Sequence, residues 1–475
     1  VKTVTRHLIS TALGAVLAAA LTASAQAAGA APDMGRVDAA FAALPKDGPG
    51  CALGIYSHGE PVALKGYGYA SVEHRVPISP DTVFDIGSVS KQFTAMSAII
   101  LAEQGKLSLD DDIRKTLPEM PDYGTPITIR QLINHTSGIR NYFDVLFIRG
   151  LSQRDPVSRD EIYSVITGLK ALEFPPGTQE KYSNSGYFLL GRIVERVSGQ
   201  SLGRFEQENI FGPLGMTRTH VHEDLGEVVP DRASGYLRDP RGGFRMAVSQ
   251  FEGTGDGAVY TTVRDLALWD ADFYRGKVWR PAVKAEMLRV GKFENGQPVT
   301  AEPGVYYVGG LNLGKRRGLT YMGHPGKELG FMADLTRYPD QQISIALLCN
   351  HMFRITAVAD ALADLMLADK YVEPEPKPEE PGKPAAAAKG EPIPAAILSQ
   401  APGVYYNDEI DGRYVIAAEG GGLVLRMGPH RQRLGPLESF GDEVLGAGRT
   451  RLQLRRDGAG RIVGLTFEGF EFRKL

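Results

Sequence analysis

Strand-like runs stand at both ends of a long segment of this chain, and that division constrains its fold more than any other feature. Extended apolar runs near 51–57 and 61–70 come early, and four more near 305–313, 319–324, 329–338 and 342–349 come late. Between them, 107–245 reads as helices and loops. Pro339-Asp340-Gln341-Gln342 separates the last two runs and reads as a hairpin turn. Helical patterns near 34–44 and 355–368 flank the strands. Such an order brings distant segments into one sheet with a helical lobe inserted. The expected class is α+β over 33–372, an antiparallel sheet flanked by helices.

Composition narrows the possibilities. The 475 residues are 43% hydrophobic and carry a formal charge of −3, so nothing electrostatic points to nucleic acid or an anionic membrane. Lys2 and Arg6, the apolar run 8–21 and the small residues Ala23-Ser24-Ala25 and Ala25-Gln26-Ala27 predict a secretory leader over 1–27, with a secreted, periplasmic or extracellular mature chain. No later segment is long and apolar enough to span a bilayer. Cys51 opens one predicted strand and Cys349 closes another. If these strands are antiparallel neighbours a disulfide is possible; two buried thiols are the other reading. Residues 373–395, rich in Pro, Glu and Ala, read as a linker. Beyond them, 396–475 shows short alternating runs punctuated by Gly and predicts a small all-β meander closing into a barrel.

Chemistry concentrates at Ser88-Val89-Ser90-Lys91. Residues at i and i+3 are neighbours on a helix, so the Lys91 amine can sit beside the Ser88 hydroxyl. An alcohol needs an adjacent base to become a nucleophile. The run 83–87 reads as extended and ends in glycine, and Phe93, Met96, Ile99 and Ile100 recur at helical spacing up to a stop at Gly105. Ser88 is therefore expected at a helix N-terminus, where free N–H groups favour developing negative charge. A plain N-cap is the competing role. Tyr182-Ser183-Asn184 follows the turn signal Phe174-Pro175-Pro176-Gly177 and precedes a helix, so a phenol and an amide can reach a cleft. His324-Pro325-Gly326 falls on a late strand.

These three motifs, in this order, resemble the serine β-lactamase and penicillin-binding-protein superfamily. The nearest branch is the class C β-lactamase-like serine hydrolases: D-aminopeptidases, D-alanyl-D-alanine carboxypeptidases and esterases. Supporting segments are Leu132-Ile133-Asn134-His135-Thr136-Ser137-Gly138, Phe211-Gly212-Pro213-Leu214-Gly215-Met216 and Gly255-Asp256-Gly257, and the all-β tail resembles the lipocalin-like barrels of some members. The resemblance implies a β-lactamase/transpeptidase-like fold and makes Ser88 the acyl-forming nucleophile. Lys91 and Tyr182 would share the proton transfers, and Asn184 would hold a substrate carbonyl or amide. The backbone N–H groups of Ser88 and Lys327, the residue after Gly326, would form the oxyanion hole. His324 stands where many members carry a permanent cation, which weakens a substrate-carboxylate site and with it β-lactam turnover. The implied substrate is a D-amino-acid peptide or amide, or else a small carboxylic ester. A non-catalytic peptide-binding protein is a further alternative. No cofactor or metal is implied.

Three other patterns are read as structural. Gly199-Gln200-Ser201-Leu202-Gly203 matches a nucleophile elbow but follows a helix, so Ser201 is expected to cap the next one. His220-Val221-His222-Glu223-Asp224 resembles part of a zinc motif, yet Leu225 stands where a histidine is needed. Lys315-Arg316-Arg317 reads as a solvated turn.

Overall fold

The computed structural model describes residues 31–374, 390–429, 432–441 and 443–475. The leader read over 1–27 and most of the proline-rich linker lie outside them.

Helix α1 (Met34–Ala40) starts where the Asp33 carboxylate accepts from the Gly35 and Arg36 N–H groups. Strands β1 (Cys51–Ser57) and β2 (Glu60–Tyr67) follow as a hairpin. The short β3 (Phe84–Asp85) leads into a 3₁₀ turn, Gly87–Ser90, and then helix α2 (Lys91–Glu103). The helical lobe includes α3 (Tyr142–Ile148) and α4 (Asn184–Ser198). Strands β4 (His220–Val221) and β5 (Val259–Thr261) precede α5 (Val263–Arg275). The late strands are β6 (Tyr306–Val308), β7 (Leu311–Arg316), β8 (Leu319–Glu328), β9 (Phe331–Tyr338) and β10 (Ile343–Cys349), closed by α6 (Ile355–Leu367).

One antiparallel sheet joins the two ends of the domain in the order β6-β7-β8-β9-β10-β1-β2. Period-two alternation explains why β1 and β10 read as unbroken apolar runs. Cys51, Leu53 and Ile55 pack with α1 and α6 on one face, while Ala52 and Tyr56 join the core around α2 on the other. Each fully buried Leu or Ile here contributes roughly 1.5–3 kcal/mol. Cys51 lies directly opposite Cys349, and the two form a disulfide. A buried ion pair, Arg337 to Asp270 at 2.8 Å, with the Ser344 hydroxyl donating to the same carboxylate at 2.6 Å, ties α5 to the sheet.

A small second sheet, β3-β5-β4, holds the segment before Ser88. The Val259 N–H donates to the Ser90 hydroxyl at 3.1 Å, locking the 3₁₀ turn against β5.

Among the described residues the C-terminal unit is a curled antiparallel half-barrel of nine strands. A short helix, α7 (Ala395–Gln400), leads into β11 (Gly403–Asn407), β12 (Gly412–Glu419), β13 (Gly422–Met427), β14 (Gln432–Leu434) and β15 (Glu438–Ser439). Strands β16 (Val444–Ala447), β17 (Thr450–Arg456), β18 (Ile462–Phe467) and β19 (Phe470–Lys474) complete it. Their order is β14-β13-β12-β11-β19-β18-β17-β16-β15. Glu391 already bridges to Ser439, so this unit begins inside the stretch read as linker. It docks on α3 and the segment at Leu169: Val145, Ile148 and Leu169 share its apolar core, and the Tyr414 hydroxyl donates to the Ile148 carbonyl at 2.7 Å.

Candidate active site

The predicted helix start is corrected by one turn. Ser88 sits in the 3₁₀ turn, and α2 begins only at Lys91. No side chain caps either element, so the N-cap role for Ser88 falls away. Its hydroxyl oxygen accepts from Lys91 Nζ at 3.1 Å and from the Tyr182 hydroxyl at 2.7 Å. Lys91 is fully buried, and its ammonium also donates to Asn184 Oδ1 at 2.8 Å and to the Asp256 carbonyl at 2.6 Å. Three acceptors therefore satisfy the three ammonium protons. Asn184, the first residue of α4, passes its amide N–H to Asn141 Oδ1 at 3.2 Å.

The third motif approaches from β8. Opposite β7 this strand is internal, but from His324 to Glu328 it pairs only with β9. Pro325 therefore lies on an edge, where its missing N–H costs no ladder bond. The edge presses against the turn that carries Ser88. A Cβ on Gly326 would stand 1.9 Å from the Ile86 carbonyl oxygen, and one on Gly87, at φ +48°, would stand 2.7 Å from Lys327 N. Only glycine at both positions lets the backbones of Ser88 and Lys327 come together.

His324 is placed differently from a residue that faces solvent. It is buried behind Tyr182 and Tyr307, its Nδ1 donates to the Pro325 carbonyl at 2.5 Å, and the Tyr307 hydroxyl lies 3.4 Å from Nε2. Burial, with Lys91 nearby, pushes it down to about 3, so it is a neutral imidazole near neutral pH.

Several participants were not singled out by sequence. The buried His135 packs its ring 4.4 Å from those of Tyr182 and Tyr307 and accepts from the Ser183 N–H at 3.2 Å. Burial and then Lys91 hold it well below its ordinary pKa, so a neutral wedge orients Tyr182. The Asp256 carboxylate accepts from the Tyr142 hydroxyl at 2.9 Å. Both His135 and Asp256 lie in motif segments, which was their only signal.

Ser88, Asn184 and Lys327 open onto a cleft of about 370 Å³. Phe143, Phe147 and Phe251 line it together with Asp85, Asp256 and Glu328. Asp85 Oδ1 accepts from the Gly87 N–H at 2.8 Å, and Glu328 accepts from the Leu329 N–H at 2.9 Å and from Gln153. Burial pushes Asp85 up to about 6, and burial followed by the Asp85 charge pushes Glu328 up to about 8. Asp256 is raised by burial against the opposing pull of Lys91. Three carboxyls thus crowd one wall at the expense of their charged forms.

The Beta-lactamase family model matches residues 37–369. The chain belongs to the Beta-lactamase family. It is 29% identical over 348 residues to a D-aminopeptidase of Gluconobacter oxydans, covering 73% of this chain and 64% of that protein's length. It is 30% identical over 353 residues to a penicillin-binding protein of Bacillus subtilis, covering 71% and 75%. The octameric penicillin-binding protein homologue from Pyrococcus abyssi superposes with a TM-score of 0.63 at 25% identity, covering 93% of this chain and all of that one, so the match extends over the half-barrel. A D-amino acid amidase from Ochrobactrum anthropi shares the fold at a TM-score of 0.58 and 21% identity, over 70% of this chain and 98% of that chain.

The decoys resolve within this family fold. Ser201 caps its helix, accepting from the Arg204 N–H, as expected. Arg316 does not lie in a solvated turn: it pairs with Asp360 at 2.8 Å and Asp364 at 3.0 Å on α6, and Arg317 stacks on Tyr371. Those carboxylates come from a helix more than 40 positions later, which the sequence order hides. Among the described residues no helix is long and apolar enough to cross a membrane.

Proposed function

We propose that this protein is a serine hydrolase that cleaves D-amino-acid peptides or amides bearing a free α-amine. In the reacting state the Lys91–Tyr182 pair has given up one proton to solvent, and Ser88 attacks the substrate carbonyl while its own proton passes to the site so vacated. The oxyanion forms against the Ser88 and Lys327 N–H groups, donors whose loss typically costs about 10²–10³ in rate. The same pair returns the proton to the leaving amine. Water then hydrolyses the acyl-enzyme. Asn184 orients the substrate amide and, through Oδ1, fixes Lys91.

The observation that carries the substrate class is the carboxyl-lined wall beside Ser88. Burial raises all three carboxyls, Glu328 to about 8 and Asp85 to about 6, and an incoming ammonium supplies the countercharge their ionised forms lack. Phe143, Phe147 and Phe251, which also line the cleft, receive an apolar side chain. The names of the relatives support the D configuration. Neutral His324 offers no fixed cation for a substrate carboxylate, so slow β-lactam turnover belongs to the same proposal. The β18–β19 turn packs on Arg140, which donates to the Glu468 carbonyl at 3.2 Å next in sequence to the cleft residue Asn141, and from that position the half-barrel would limit substrate length. The leader pattern and the Cys51–Cys349 bridge support action outside the cytoplasm.

The test is kcat/KM on D- and L-aminoacyl p-nitroanilides, each free and N-acetylated, with a short ester for comparison. The expected order puts the free D-amine first, and acetylation lowers it by at least about tenfold, the equivalent of roughly 1.4 kcal/mol. Equal turnover of free and acetylated forms, or an ester far ahead of both, overturns the substrate assignment.

A further inference from the structure

We propose that His220, His222 and Glu227 form a binding site for a zinc-class divalent metal ion at the far wall of the cleft. His220 and His222 share one face of an extended segment, as i and i+2 must. The His222 N–H donates to the Ala258 carbonyl at 2.8 Å, so β5 fixes that segment. The Tyr260 ring packs 5.8 Å from His220 and 4.6 Å from His222 and holds both imidazoles in place.

Sequence order obscures the third ligand. A third histidine is missing at Leu225, but the chain turns after Asp224 and returns a carboxylate from Glu227. Glu227 Oε2 lies 3.7 Å from His220 Nε2 and 3.4 Å from His222 Nδ1, and all three ligand atoms lie within 4.8 Å of one another. A tetrahedral ion with bonds of about 2.0–2.1 Å needs its ligand atoms roughly 3.3–3.4 Å apart. Two of the three edges are already close to that length.

The second observation is independent of spacing. His220 Nε2 and His222 Nδ1 are buried, and among the described residues neither makes a well-aimed hydrogen bond: each faces Glu227 Oε2 at ion-pair distance. The His222 side chain is only 2% exposed. Two orphaned ring nitrogens aimed at one carboxylate fit an ion between them better than they fit each other. Histidine nitrogens with one carboxylate select zinc-class ions over calcium or magnesium, which prefer all-oxygen sites. Such an ion would pin the 223–231 loop to β4, leaving its fourth position to water. The exposed Arg232 is the opposing cation on this wall. Its removal should tighten binding.

The test is calorimetric titration of the tag-free, metal-stripped full chain with Zn²⁺, with the visible spectrum of the Co²⁺ form as a second readout. The expected result is one ion per chain and a four-coordinate Co²⁺ spectrum. Glu227→Ala and His222→Asn should each weaken binding by at least about tenfold, Arg232→Ala should strengthen it, and Ser88→Ala should leave it unchanged. Glu227 is exposed on a loop, so its variant decides the matter if the His222 variant fails to fold. No saturable binding, or affinity retained in Glu227→Ala, overturns the site.

Discussion

The Ser88 pocket and the carboxyl-bearing wall beside it follow opposite rules. In the pocket, polar groups are paired: three acceptors meet the Lys91 protons, and two donors meet the Ser88 oxygen. On the wall, Asp85, Asp256 and Glu328 crowd together, and Asp256 Oδ1 has no partner among the described residues. The pocket is preorganised, so a reaction there needs little rearrangement. The wall is underpaired, so it gains from whatever brings positive charge. Under the proposed function, chemistry and selectivity would lie on neighbouring surfaces with different electrostatic designs.

The largest effects should come from breaking the pocket. Lys91→Ala should lower kcat by about 10⁴-fold or more, as when one member of a coupled catalytic unit is lost. Tyr182→Phe should cost about 10²–10⁴, the usual worth of a positioned acid or base. Single-turnover kinetics with an activated substrate checks both. A loss below tenfold in Lys91→Ala would mean that the pairing is structural.

A smaller effect should come from the wall. Glu328 is raised from its ordinary value of 4.5 to about 8, so between those pH values the folded chain keeps a proton that the unfolded chain has lost. Stability therefore falls as pH rises through that window, and the penalty is complete above about 8. Glu328→Gln should flatten the decline in Tm between pH 5 and 8, on the order of 1–2 °C for each kcal/mol removed in a domain of this size. Thermal melts across that range check it. An unchanged slope would show that Glu328 is not held in its neutral form.

What sequence revealed divides along the same line. Ser88 and Lys91 were legible because helical spacing makes i and i+3 neighbours, and Tyr182 and Asn184 because a turn delivers them to a helix start. The central sheet was legible from runs such as 51–57, buried on both faces. The wall was not. Asp85 and Glu328 lie 243 positions apart in the numbering, and Glu328 reads as an ordinary charged residue at a strand end. Its character depends on Gln153 and Asp85, which only the folded chain brings to it. Glu227 was hidden likewise by a turn, and β8 by being internal along one half and an edge along the other.

The central claim is that Ser88 is an activated nucleophile, and covalent labelling tests it most directly. Intact mass is measured after incubation with a fluorophosphonate and, separately, with a penicillin, on the wild-type chain and on Ser88→Ala. The account predicts one phosphonyl adduct per wild-type chain, none on the variant, and a slower or absent penicillin adduct. An unlabelled wild-type chain, or a label retained in Ser88→Ala, would contradict it.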